Sequence, residues 1–181
     1  MKCYIRELFR DHKLFYNLLS MKKIQLLAFL FVFSLAFSQS DFKLKVSGDV
    51  LQPLEFTMAD LSKIPHKNAS LKDKDGNTHI YSGVALQDIL AKAGVPSGKE
   101  LHGENLSKYL LVKCTDGYQV LFSLAELDSS IADKNIIIAD TVDGKPLPVA
   151  KGPLRIIAEG EKKPARSSYQ VATLIIGKVN K

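Results

Sequence analysis

The residues of this 181-residue chain that could do chemistry are few and widely spaced. Apart from Cys3 near the N-terminus, Cys114 is the only cysteine, so no disulfide can form within the chain once the leader described below is removed. It lies in the apolar run 109–114, which reads as a strand, and a lone thiol in such a run is expected to be packed and inert. His66, His79 and His102 stand far apart with neither HxH nor HxxxH spacing, which predicts surface or turn positions rather than metal ligands. There is no Gly-x-Ser-x-Gly and no glycine-rich phosphate loop, so hydrolase and nucleotide chemistry have no positive support. The distinctive group is a cation. Gly152-Pro153-Leu154 delivers Arg155 into the apolar stretch 153–158. A planar guanidinium placed there can grip an anion through two parallel bonds, or pair with a carboxylate at a sheet edge.

The elements that position these residues follow from periodicity and punctuation. Residues 42–46 alternate apolar and charged side chains, as a half-exposed strand should. Thr57 is placed to cap a helix that Pro65 stops. Asp75-Gly76 and Asp116-Gly117 each separate two strand-like runs and predict hairpins. Residues 84–93 put Leu86, Ile89 and Leu90 on one helical face, with Gly94 suited to the left-handed C-terminal position. Ser123-Leu-Ala-Glu126 is a capping box opening a short helix. Residues 136–139 form a continuous apolar run, expected of a strand buried on both faces, and 153–158 and 171–179 supply the last strands. Many strands with short helices and no regular βαβ alternation predict an α+β fold of mixed or antiparallel sheet.

The N-terminus is a separate matter. Met21-Lys22-Lys23, a short apolar run over 24–37 and small residues before Gln39 form a secretory signal peptide, with cleavage expected after Ser38. The run falls short of the roughly 20 residues needed to span a bilayer, a signal anchor being the competing reading. Residues 1–20 precede an already complete signal and read as a start called too early, or else as a cytosolic tail. The expected organisation is therefore extension 1–20, signal 21–38 and one domain over 39–181. The formal charge of +6 shrinks accordingly: residues 1–38 hold six of the 25 basic and two of the 19 acidic residues, leaving a near-neutral +2. That is too little for a nucleic-acid footprint. The expected location is periplasmic or secreted, with no membrane span after cleavage.

Four motifs carry a family resemblance: Asp116-Gly117-Tyr118, Ser123-Leu124-Ala125-Glu126-Leu127, Asp143-Gly144-Lys145-Pro146-Leu147 and Gly152-Pro153-Leu154-Arg155. Their layout resembles the C-terminal half of the molybdopterin-binding domain of the sulfite oxidase type, and weaker agreement extends over 42–179. The resemblance implies that family's α+β fold, with mixed sheets and short helices. It also implies a pterin-held molybdenum bound by one protein thiolate, a soft donor. In the family that cysteine lies upstream of a Gly-Val-x-Leu helix start, here Gly83-Val84-Ala85-Leu86. The corresponding stretch, 69–76, has none. Asp73 and Asp75 would be hard donors and read as turn residues beside Gly76, and Cys114 matches a strand one element later. By the same resemblance the cofactor-binding residues are Lys151, Arg155 and Arg166, with Arg155 on a cleft wall and Tyr169 standing where a second basic residue is usual. Lys22-Lys23 marks a Sec-type leader, which carries an unfolded chain without cofactor, rather than a twin-arginine one. The combined expectation is an exported, non-catalytic binding module with a basic cleft for a pterin or other small anion, or for an exported partner protein. Molybdopterin is the implied cofactor class and molybdenum is not expected. The alternatives are a molybdenum-cofactor oxidoreductase of the sulfite oxidase type and a scaffold with no small ligand.

Overall fold

The computed structural model describes residues 42–179. The expectations about the leader, its cleavage and residues 1–20 lie outside them.

Two sheets organise the described residues. The first runs in the order β2 (Leu54–Thr57), β1 (Lys43–Gly48), β10 (Val171–Lys178), β5 (Lys108–Cys114) and β6 (Gln119–Ser123). Only the β1–β10 pairing is parallel, so the two ends of the domain are joined side by side. The second is antiparallel throughout: β3 (His66–Lys72), β4 (Thr78–Ala85) and β7 (Ile136–Val142) lie side by side. The far edge of β7 is shared by β9 (Arg155–Ala158) along its first half and β8 (Lys145–Pro146) at its end. Both Asp-Gly hairpins form where the turn chemistry placed them, joining β3 to β4 and β5 to β6.

Among the described residues, three short α-helices pack on this frame. The helix α1 (Met58–Leu61) is opened by a capping box in which Thr57 and Asp60 satisfy each other's backbone amides. The helix α2 (Leu86–Lys92) buries Leu86, Ile89 and Leu90, and the chain leaves it through Gly94 at φ 74°. The helix α3 (Leu124–Leu127) repeats the capping box with Ser123 and Glu126. Two details differ from the sequence expectation. Val84 and Ala85 end strand β4 instead of opening α2, because they pair with Ile138 and Ile137. The strands β2 and β8 are too short to be periodic, and exist through their partners β1 and β7.

Strand parity divides the interior in two. Ile136 and Ile138 of β7 enter the main core with α2 and the first sheet, alongside Ile156 and Ala158 of β9. Ile137 and Ala139 point to the other face, with Ile157 of β9, Ala69 and Leu71 of β3 and Tyr81 of β4. The strand β7 is thus buried on both faces, as its unbroken apolar run requires. Close approach of β4 and β7 depends on Gly83, where an added Cβ would collide with the Ile138 carbonyl and the Ala139 Cα. Arg155, two residues before Ile157, shares the second face and is registered opposite Ala139. One charged side chain is thereby aimed into an apolar layer.

Candidate functional site

Arg155 is 1% exposed, and its charge is met from within the chain. Its Nη1 donates to Asp73 Oδ2 at 3.0 Å and its Nη2 to Asp73 Oδ1 at 3.3 Å, a fork-to-fork pair. Nη1 also donates to the Tyr81 hydroxyl, and Nε donates to the Ser167 carbonyl at 3.4 Å. The Tyr169 ring lies 4.1 Å from the guanidinium carbon and the Tyr81 ring 4.9 Å. Asp73, 8% exposed, follows Ala69 and Leu71 at strand spacing and so continues their face into the β3–β4 turn. It accepts further bonds from the Tyr81 hydroxyl at 3.1 Å and the Tyr169 hydroxyl at 3.3 Å. Burial by itself raises the Asp73 carboxyl, but the bonds and charge of Arg155 win and hold it well below the usual carboxylate range. Burial pushes the Tyr81 phenol up, keeping it a neutral donor.

The three expected cofactor-binding cations therefore have different situations. Arg155 does not stand on an open cleft wall; it is enclosed and each of its three nitrogens is hydrogen-bonded within the chain. The reading of Asp73 as a plain turn residue is also corrected, because its carboxylate is the counter-ion of Arg155. Arg166 is gripped by two carboxylates, with Glu126 Oε1 and Oε2 each at 3.1 Å and Glu161 Oε1 2.8 Å from its Nε, while its guanidinium stacks 4.5 Å over Phe122. Glu126 thus serves both as capping-box acceptor and as partner to Arg166, which together outweigh the upward pull of its burial and lower its carboxyl. Lys151, its side chain 45% exposed, places Nζ 3.6 Å from Asp73 Oδ2 and 5.5 Å from the Tyr169 ring. The structure brings Lys151 and Arg155 together around Asp73. Arg166 stays with its own carboxylates.

Beyond Tyr169 lies an open cleft of about 490 Å³, within the size range of small-molecule sites. Its wall includes Tyr169, Ser167 and Ser168, the half-exposed Tyr118, and Lys74 and Lys163. Tyr118 is fixed by a 2.9 Å bond from its hydroxyl to the Ala165 carbonyl. Neither lysine has an ion-pair partner among the described residues, and Asp116 is the one acidic side chain of the lining. Sequence reasoning missed Lys74, Lys163, Tyr81 and Tyr118 as site residues. The parity of β4 was the available signal for Tyr81; the loop residues had none.

Cys114 is 7% exposed and belongs to the main core. Burial raises its thiol above the ordinary value, partly offset by the neighbouring Ser168 hydroxyl, so it stays protonated. It does not line the cleft, although Ser168 does. The histidines lie elsewhere. His66 is held by the Ile64 carbonyl at 2.9 Å and Asp140 Oδ2 at 3.0 Å, and the Asp140 bond raises its pKa. His79 bridges Asp75 and Asp143 at 2.9 and 2.6 Å. Among the described residues no group of three His, Cys, Asp or Glu side chains is arranged to hold a metal.

This architecture has clear relatives. The family model described as the oxidoreductase molybdopterin binding domain matches residues 32–162. The chain belongs to that family, and its paired sheets with few short helices are the sulfite-oxidase-type molybdopterin-binding fold. Among solved structures, the sulfane dehydrogenase SoxCD from Paracoccus pantotrophus superposes with a TM-score of 0.60 at 21% identity, over 80% of this chain and 41% of that one. The present chain thus spans less than half of that enzyme chain, and at this identity the likeness concerns the fold. No curated protein matches the chain.

The donor set does not fit molybdenum bound through a protein thiolate. The stretch 69–76 offers Asp73, whose oxygens are spoken for by Arg155, Tyr81 and Tyr169, and the Cys114 thiol is protonated and packed in the main core.

Proposed function

We propose that the protein is a non-catalytic binding module of the molybdopterin-binding oxidoreductase family, which takes a pterin or another small anion in the cleft beside Tyr169. The carrying observation is the pairing of a sulfur-free, internally neutralised centre with an adjoining cleft whose two lysines have no ion-pair partners among the described residues. An anion there gains charge-assisted bonds from Lys74 and Lys163, while Tyr118 and Tyr169 offer ring surface to a flat ligand. Arg155 acts from behind, by fixing Tyr169 and Asp73. An acidic segment of an exported partner would use the same charges. The leader assigned to residues 21–38 supports a periplasmic or secreted setting.

The test has two parts. Protein made in a host that synthesises molybdenum cofactor is analysed for metal and for released pterin. Stoichiometric molybdenum would establish the oxidoreductase reading instead. The same protein is titrated calorimetrically with pterin-6-carboxylate and with inorganic phosphate. Saturable binding that weakens in Lys74→Ala and Lys163→Ala supports the module, and no binding of either probe refutes the small-anion assignment.

A further inference from the structure

We infer that Asp73 is a built-in ligand: its carboxylate occupies a carboxylate-binding seat formed by Arg155, Tyr81, Tyr169 and Lys151, and keeps that seat closed to external anions. The seat has the features of a binding site for a planar two-oxygen anion. Arg155 presents Nη1 and Nη2 to the two oxygens of one carboxylate, at 3.0 and 3.3 Å. The Tyr81 hydroxyl adds a donor to Oδ2 at 3.1 Å and the Tyr169 hydroxyl one to Oδ1 at 3.3 Å. Lys151 brings a second positive charge within 3.6 Å of Oδ2. Every one of these donors lies at least eight positions from Asp73 along the chain, and only the Lys74 amide, at 3.1 Å from Oδ1, is local.

The core of the seat and its occupant belong to different kinds of structure, while Lys151 and Tyr169 join the seat from loops. Arg155 and Tyr81 are set by paired strands, β9 on β7 and β4 between β3 and β7. Asp73 is carried by the turn of the β3–β4 hairpin, just past the last paired residue, Lys72. A guanidinium and a hydroxyl set by paired strands therefore hold a carboxylate presented on a turn, as they would hold one presented on a ligand. The fork grips two oxygens of a carboxylate or of a tetrahedral anion alike, so selection falls to size. Asp73 and Arg155 are buried, and the space filled by one planar carboxylate suits formate better than a four-oxygen phosphate. This goes beyond the reading proposed for the cleft, and it divides the cations of the region: an external anion meets Lys74 and Lys163, while Arg155 is already served.

Anion rescue tests it. Asp73→Ala vacates the seat. Its melting temperature in chloride is expected to fall below that of the wild type, and to rise saturably with sodium formate at constant ionic strength, by more than with phosphate. The rise is expected to vanish in Asp73→Ala/Arg155→Met and to be absent from the wild type. Asp73→Asn, which refills the space without charge, is expected to melt low and not to respond to formate. If Asp73→Ala does not fold in chloride, refolding yield in formate becomes the readout, and failure in both salts would overturn the inference. A formate or phosphate response of the wild type that disappears in Arg155→Met would overturn it as well. Loss of pterin-6-carboxylate binding with formate rescue intact would sink the cleft assignment and leave the seat standing.

Discussion

The dry centre behind Tyr169 and the wet cleft in front of it handle positive charge in opposite ways. Arg155 is enclosed, so its charge must be paired inside the fold, and Asp73 pairs it. Lys74 and Lys163 line open space and have no ion-pair partner among the described residues, because water already solvates them. The same residue class is thus structural a few ångströms inside the wall and available for binding outside it. A list of basic residues cannot tell the two apart; burial and partners can.

The contrast can be challenged first at the layer beneath it. Ile137 is fully buried on the face of β7 that carries the Arg155 pair. Ile137→Asp would put an unpaired charge there at a cost of several kcal/mol, comparable with a small domain's whole stability. No cooperative melt is expected by circular dichroism, and a soluble, cooperatively melting variant would contradict the layering described.

Next comes the pair itself. Arg155→Met and Asp73→Leu should each cost about 3–5 kcal/mol, since either leaves the other partner buried without compensation. The double replacement Asp73→Leu/Arg155→Met should cost much less than the two singles added together, as removing both charges removes the penalty. Urea denaturation of the four proteins gives the coupling directly. Additive losses would mean that the two groups do not depend on each other.

Arg166 is an intermediate case, partly exposed and held by Glu126 and Glu161. Its loss to alanine should cost about 1 kcal/mol or less, because solvent screens the pair, and pterin-6-carboxylate affinity should stay unchanged. Lys74→Ala and Lys163→Ala should invert that pattern. Their stability should remain within about 0.5 kcal/mol of wild type, as for ordinary surface changes, while ligand affinity falls.

The smallest expected effect is a pH dependence away from the site. The bond to Asp140 raises His66 above its ordinary value of 6.5, so the folded state holds that proton more tightly than the unfolded chain does. The stabilisation is complete below about pH 6.5 and is lost as pH rises through the raised value. Melting temperature should therefore decline across that window, and less so in His66→Asn. Asp73 has the opposite sign: its lowered pKa gives stability present above the unfolded carboxylate range and lost only in strong acid. An identical decline in His66→Asn would assign the window to another group.

The sequence by itself determined whatever depends on neighbours along the chain. Both Asp-Gly hairpins, the Thr57 cap, the Ser123–Glu126 capping box, the apolar face of α2 and the doubly buried strand β7 are local or periodic, and the family motifs sit on or beside these elements. It also determined that the stretch 69–76 lacks a thiol. Only the tertiary structure decided which carboxylate meets which cation. Asp73 and Arg155 are 82 positions apart, Arg166 and Glu126 40, and no pattern in the chain couples them. Such pairs are set by sheet registry and by the loops that registry brings together. An arginine that reads as a grip for an anion was therefore free, on sequence alone, to be either receptor or core. The fold placed a carboxylate in its fork, because a charge on that face of β9 has no access to water and needs a partner.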